Sequence, residues 1–351
     1  MHVITSTARR GAETFAVDLV QALREIGEEA EVVALHPHQG DAGHDVEVLG
    51  PARRHRHTLA GLRRRARAFD VVVAHGSSTL EACAFALAGT GVPFVYRTIG
   101  DPSYWVATRG RRTWVRLLHR RAARHVALWP AAQAQLAAKY GLDPGKVDVI
   151  PNGVPPERFP LASPAQRLDA RRQLGVQADQ PCLAFVGAIS PEKNVGTAIA
   201  AAGGLPGAVL LVAGDGRDRR RWEQRHAGVE VLWLGSVDDP WPVYAAADLL
   251  LLPSLSEGMP AVVIEAGLTG TPSVATRVGA VPEMVQHRET GWLVDAGNEA
   301  AFSHGVKSAI DEAASLGERA SAVFGVRYSV ASVAVSWARS LLIVGGGGTQ
   351  G

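Results

Sequence analysis

Along the chain, apolar residues alternate between short β-branched runs and longer stretches with helical spacing. Residues 2–5, 31–35, 70–74, 93–97, 125–129 and 146–150 read as strands, each a brief apolar run bounded by polar residues. Between them, 13–26 closed by Gly27 and 80–88 closed by Gly89 read as helices that end on glycine. Strand alternating with helix predicts a parallel, doubly wound sheet of the α/β class. The pattern is then interrupted by PNGVPPERFPLASP, where five prolines and no periodicity mark a hinge. A second set follows at 182–187, 208–213, 230–234, 249–252, 273–276 and 291–294, so two Rossmann-like domains in tandem are expected. A last helical pattern over 329–344 comes after the second set is complete and is expected to cross back to the first domain. The division is therefore 1–160 with 329–344, then 161–328, then a flexible glycine-rich tail at 345–351.

Composition supports two folded domains and removes several classes. The 351 residues are 47% apolar and 20% charged, which suits a globular chain with a full core and not a disordered or collagen-like one. The two cysteines, Cys83 and Cys182, stand in apolar runs with no neighbour at metal-ligand spacing, so no metal site is expected. The first residues lack the pattern of a signal peptide, and no apolar stretch approaches the ~18 residues of a spanning helix, which places the chain in the cytoplasm. Net charge is only +2, but residues 1–150 hold 20 Lys plus Arg against 14 Asp plus Glu. The excess is local: seven arginines lie in 53–67 and seven in 109–124, with no acid in either. That half should attract anions.

In open α/β sheets, ligands bind beyond the carboxyl ends of strands, so the loops after strands carry the candidate chemistry. After LLLLP comes SLSEGMPAVVIEA, where Pro260 suits a helix start and Gly258 and Met259 precede it with backbone N–H groups available to an anion. Glu257 stands before that helix and Glu265 within it; one carboxylate can face the mouth of a cleft while the other accepts paired hydroxyls such as those of a ribose. As two glutamates alone they would read as a cap and a solvated helix residue. After Phe185 and Gly187, the loop carrying Lys193 can bring a cation to a diphosphate leaving group. STARRGAE places Gly11 where backbone can approach a phosphate or sugar; HGSS puts His75, Ser77 and Ser78 at a strand end. AGDG (Gly214, Gly216) and Gly235 would let a base and ribose lie on backbone, although each also reads as an ordinary turn.

With these loops in place the chain resembles the GT-B retaining glycosyltransferases of family 4, from about residue 1 to 344. The resemblance rests on Glu257 and Glu265 in SEGMPAVVIEA, on VGAISPEKN, on VIPNGV with Phe159 downstream, and on AAADLLLLPS. LVAGDG, VGAVPEMV with Gly279 and Glu283, and TGWLV support it. It implies a GT-B fold whose domains face a central cleft, the second binding a UDP- or GDP-linked sugar and the first binding a sugar, lipid or small-molecule acceptor. Glu265 then corresponds to the ribose ligand, Glu257 to the acid contacting the donor sugar, Lys193 to the diphosphate lysine, His75 to the cleft histidine and Gly11 to the first glycine-rich loop. Sugar transfer with retained configuration by front-face displacement is implied, with no metal ligand and no cofactor beyond the donor substrate. A bacterial source fits the Ala- and Arg-rich composition.

The chain departs from that pattern at Ala188, where the family commonly has an arginine that joins the lysine on the diphosphate. Arg10, Arg97, Arg217 and Arg277 are the replacements that loop position allows. The departure keeps two other readings open: a sugar-nucleotide-binding relative without catalysis, and a GT-B sugar-nucleotide epimerase. Nucleic acid is not an expected partner, because aromatics are sparse among the arginines and no recognition motif accompanies them. Residues 109–125, with Trp114, Val115, Leu117 and Leu118 interleaved, read either as a basic amphipathic helix on the anionic inner face of a membrane or as a solvated arginine-rich face.

Overall fold

The computed structural model describes residues 1–38, 43–100, 109–225 and 228–346, the side chains of Arg109 and Arg111 excepted. The chain divides into two compact units, one formed by Met1–Val154 together with the chain from Val330 onward, the other by Pro155–Ser329.

In the first unit the strands are β1 (His2–Ser6), β2 (Val32–His36), β3 (Glu47–Val48), β4 (Val72–His75), β5 (Phe94–Arg97), β6 (Arg124–Ala127) and β7 (Val147–Val149). They form one parallel sheet in the order β3-β2-β1-β4-β5-β6-β7. β1 lies between β2 and β4, with His2 opposite Val32 on one side and Val73 on the other. The helices of this unit are α1 (Gly11–Glu25), α2 (Arg56–Ala66), α3 (Ser77–Ala86), α4 (Arg109–His119) and α5 (Pro130–Tyr140). The second unit carries α6 (Pro164–Gln173), α7 (Val195–Gly203), α8 (Arg219–Glu223), α9 (Trp241–Ala246), α10 (Ala261–Thr269), α11 (Val281–Met284), α12 (Glu299–Ile310) and α13 (Ala313–Arg327). Its strands β8 (Cys182–Val186), β9 (Val209–Ala213), β10 (Glu230–Gly235), β11 (Leu249–Leu252), β12 (Ser273–Thr276) and β13 (Gly291–Val294) pair in parallel in the order β10-β9-β8-β11-β12-β13.

Central strands are apolar throughout because helices cover both faces of a parallel sheet. LLLL of β11 is buried at every position, its odd and even residues facing opposite layers. In the second unit Leu183, Phe185, Leu210, Val212, Leu249 and Leu251 pack with Val195, Ile199, Phe302 and Val306 in one core.

The final helix, α14 (Val330–Gly345), packs within the first unit, as the crossover expectation requires. Val330, Val333, Ala334 and Trp337 join Phe15, Leu19, Val20 and Leu23 of α1 in one cluster, with Trp337 wholly buried. α14 runs to Gly345, one residue into the expected tail, and residues 347–351 lie outside the described residues.

One sequence expectation changes, and one strand was not expected. Residues 109–125 are not one amphipathic helix: α4 stops at His119, and Arg124 begins β6, where its guanidinium pairs with Asp148 at 2.6 Å. The very short β3, on the sheet edge, carried no legible signal, since Glu47 and Val48 are both exposed.

Both histidines at the end of that segment are structural. His119 and His125 are buried, their ring nitrogens 3.1 Å apart, and His119 stacks on Tyr140 with centroids 4.1 Å apart. Loss of hydration holds His119 down at about 3, assisted by the charge of His125, and holds His125 at about 4. A histidine whose folded value lies below its unfolded ~6.5 stabilises the fold fully above pH 6.5 and loses that contribution as pH falls toward the folded value. Urea unfolding should therefore show stability declining between pH 6.5 and 5, above the usual carboxylate range, by on the order of 1–2 kcal/mol per ring. His119→Gln should remove only its share of the decline, the rest coming from His125, His2 and His75; stability level across that interval in the parent would contradict the assignment.

Candidate active site

The second sheet changes winding direction between β8 and β11. From β8 the chain moves outward through β9 to β10, then returns to place β11 on the other side of β8. The helices that follow β8 and β11 run to opposite faces, so their two loops part and leave a crevice at the carboxyl ends. Lys193 and Glu257 stand on those two loops.

Four contacts brace them. Lys193 Nζ donates to both oxygens of Glu257, at 2.7 and 2.9 Å. Ser254 Oγ donates to Glu257 Oε1 at 2.6 Å. The Leu255 N–H donates to the Glu192 carbonyl at 2.7 Å, and Asn194 Nδ2 to the Pro253 carbonyl at 3.3 Å. The Glu257 side chain is 7% exposed and that of Lys193 26%, so the ammonium is the part of the pair that solvent or a ligand can reach.

The carboxylate loop is also held from β12. Thr276 Oγ1 donates to the Ser254 carbonyl at 2.5 Å, and the Ala280 N–H donates to the Gly258 carbonyl at 2.8 Å. Gly279 adopts φ 54°, and a Cβ there would sit 2.2 Å from the Glu257 carbonyl oxygen. Met259 is buried, Pro260 is the residue before α10, and the helix itself begins at Ala261, one residue later than expected from the proline.

Glu265 lies half-buried in α10 and accepts a 2.7 Å hydrogen bond from the hydroxyl of Tyr244. Tyr244, on α9, is wholly buried; burial first, and then the charge of Glu265, push its phenol well above the ordinary value, so it stays a donor. Glu265 therefore has its carboxylate oriented before any ligand arrives.

The loop after β9 meets the lysine loop backbone to backbone. The Gly187 N–H donates to the Ala213 carbonyl at 2.9 Å, the Ile189 N–H to the Asp215 carbonyl at 3.0 Å, and the Gly214 N–H to the Gly235 carbonyl at 2.6 Å. A Cβ at Gly214 would come within 1.9 Å of the Gly187 oxygen, and one at Gly216 within 2.3 Å of the Ile189 oxygen. The close approach that these glycines permit here is of loop to loop.

The candidates in the first unit occupy a different kind of place. The first sheet has its own reversal between β1 and β4, and Gly11 opens α1 after β1 while Ser77 and Ser78 open α3 after β4. Gly11 and Ser77 are exposed, and Ser78 Oγ accepts from Arg53 at 3.2 Å. His75 is 2% exposed: Nε2 is 3.0 Å from His2 Nδ1, and Nδ1 is 3.3 Å from an Arg97 nitrogen. Burial, followed by the charge of Arg97, holds His75 neutral far below its ordinary value. Arg97 is itself buried, bonded to Asn152 and seated over the Phe15 ring at 4.1 Å. Arg97, named from its loop position as a substitute diphosphate cation, is instead buried against His75 and Asn152; His2, Ser254 and Tyr244 were not singled out, and of them only Ser254, three residues before Glu257 at a strand end, had a local signal.

A groove of about 610 Å³ opens beside α7, lined by Asn194, Gly196, Trp222, Arg225 and Glu299 among others. It shares Asn194 with the lysine loop, but neither Lys193, Glu257 nor Glu265 lines it. Among the described residues no group of three or more His, Cys, Asp and Glu is gathered as a metal would require.

Residues 166–322 match the family model for glycosyl transferases group 1, and residues 9–158 match that for glycosyltransferase family 4. Anabaena HepE in complex with UDP-glucose superposes with a TM-score of 0.83 at 23% identity, covering 97% of this chain and 98% of that one. Sucrose-phosphate synthase from Thermosynechococcus elongatus gives 0.83 at 20% identity, with 99% and 98% covered. Each unit is matched by one of the two glycosyltransferase models, and the fold is that of the GT-B glycosyltransferases. D-inositol 3-phosphate glycosyltransferase of Mycobacterium sp. strain KMS is 32% identical over 206 residues, 56% of this chain and 46% of that protein. The match thus spans about half the length of such relatives.

Gly279→Ala tests whether the carboxylate loop is held as described. It forces a side chain into a left-handed conformation against a carbonyl oxygen, and a loss of roughly 1–3 kcal/mol in unfolding free energy is expected. A variant as stable as the parent would contradict the packing of the loop after β12 on Glu257.

Proposed function

We propose that the chain moves a sugar from a UDP- or GDP-linked donor to an acceptor hydroxyl, with retention of anomeric configuration and without a metal ion. One observation carries the reading: a lysine and a glutamate are joined at the sheet reversal, with a second carboxylate held ready on the adjoining helix. That the relatives are named glycosyltransferases, and that HepE was crystallised with UDP-glucose, supports it. The Ala188 departure had kept a non-catalytic relative and an epimerase open; neither has a specific observation in its favour.

On this reading the donor's diphosphate meets Lys193, and the ribose hydroxyls donate to Glu265, whose carboxylate Tyr244 orients. The bond from the anomeric carbon to the phosphate oxygen breaks as the acceptor oxygen bonds to the same carbon from the same face. The acceptor proton passes to the departing phosphate oxygen, leaving a nucleoside diphosphate and the glycoside. Lys193 acts by stabilising charge that grows on the leaving group, the usual large contribution of fixed charges. Glu257, only 7% exposed and fixed by Lys193 and Ser254, sets the lysine and has only the small exposed edge of its carboxylate for a hydroxyl of the donor sugar. His75, with both ring nitrogens occupied, is assigned no proton transfer.

The acceptor, whether sugar, lipid or small molecule, is given to the first unit. A specific observation favours contact with an anionic membrane on the cytoplasmic side: α4 exposes Trp114 and Leu117 beside Arg112, Arg116 and Arg120, and the exposed Phe85 ring lies 5.7 Å from Trp114. No helix among the described residues is long and apolar enough to cross a membrane.

Lys193→Ala should lower the transfer rate from a UDP- or GDP-sugar by about 100- to 1,000-fold, assayed below its own melting temperature, which should also fall because the buried Glu257 carboxylate loses its partner. Transfer at the parental rate would refute the role, and absence of any donor turnover by the parent would refute the reaction. Sedimentation with vesicles containing phosphatidylglycerol should deplete the protein from solution, and Trp114→Ala with Leu117→Ala should reduce the depletion; equal recovery with neutral vesicles would rule out the membrane contact.

A further inference from the structure

The ion pair at the crevice leaves a deficit. A nucleoside diphosphate carries more than one negative charge, yet the cation facing it, Lys193, is matched by the carboxylate of Glu257. Ala188, exposed on the same loop, adds none. A further cation must come from elsewhere if the diphosphate is to be held.

The other cations named for that place either have a partner or belong to the first unit. Arg277 follows β12, beyond β11 from the lysine loop, and lies 3.7 Å from Asp295. Arg10 and Arg97 belong to the first unit, and Arg97 is buried with Asn152 and Phe15. Arg219, on α8, donates to Glu223 at 2.7 Å and lies 3.8 Å from Asp215. Arg217, which stands on the second unit beside the lysine loop, is exposed with no hydrogen-bond or salt-bridge partner among the described residues.

Its backbone is fixed against the lysine loop. Ile189 donates to the Asp215 carbonyl at 3.0 Å and accepts from the Asp218 N–H at 3.3 Å, so Arg217 lies between two residues bonded to the neighbour of Ala188. Gly216 leaves no room for a side chain between the two backbones. Asp215, the near acid on that loop, turns its carboxylate to the Gly216 N–H at 2.7 Å and toward Arg219. Glu192 is held below its ordinary value, first by the Ser190 hydroxyl and in smaller part by the charges of Arg217 and Lys193, so both cations act on one carboxylate.

We infer that Arg217 is the second diphosphate-binding cation of this enzyme, delivered from the loop after β9 in place of a side chain at position 188. The assignment rests on the donor reading above. It makes the anion site a product of two strands' loops, with the guanidinium free to engage two phosphate oxygens at once.

Isothermal titration with UDP, GDP and uridine separates the possibilities. Arg217→Gln should weaken the diphosphate that the parent binds by about tenfold, the size of one charge-assisted contact at an exposed position, and leave uridine unchanged. Arg217→Gln combined with Ala188→Arg should recover most of the loss, and Arg277→Gln should bind like the parent. Parental affinity in Arg217→Gln, or an equal loss for uridine, overturns the inference while the donor reading stands. A parent that binds neither UDP nor GDP overturns both.

Discussion

A half-buried ion pair at the place where a parallel sheet reverses its winding organises the second unit. Charges taken from water are costly unless paired and hydrogen-bonded, and the Glu257 carboxylate meets that condition through Lys193 and the Ser254 hydroxyl. The pair is asymmetric: the carboxylate faces protein and the ammonium faces outward. An arriving anion therefore finds a cation whose position is already set, and reorganisation on binding is small.

The surrounding construction follows from that requirement. Loops are the least constrained parts of an α/β unit, and here those after β8, β9, β11 and β12 are tied to one another by backbone hydrogen bonds and by glycines that let main chains touch. The helices behind them supply a second level of order, with Tyr244 of α9 aiming the Glu265 carboxylate of α10. Precise groups rest in this way on rigid strands and helices, while the exposed end of Arg217 remains adjustable.

Much of this was legible in the residue order. Runs such as LLLL or the stretch from Cys182 to Val186 are apolar because both sheet faces are covered, and that constraint shows without any tertiary information. The placement of Glu257, Lys193 and Glu265 on loops and a helix start after strands was visible for the same reason. What was not visible depends on contacts across sequence: the bond of Lys193 to Glu257 spans 64 positions, and that of Tyr244 to Glu265 joins two helices. His75 shows the limit most clearly. At a strand end it resembles a group open to a ligand, but burial beside His2, Arg97 and Trp337 gives it a packed environment that local sequence does not encode. The basic run at 109–125 misled for a related reason, since its last residues alternate in a strand while its first ones turn in a helix.

The most direct measurement is a crystal structure of the chain with a bound nucleoside diphosphate. The account expects a phosphate oxygen at about 2.7–3.2 Å from Lys193 Nζ, with the ribose hydroxyls on Glu265. A nucleotide lodged instead in the groove beside Trp222 and Arg225, with no contact to Lys193 or Glu265, would contradict it.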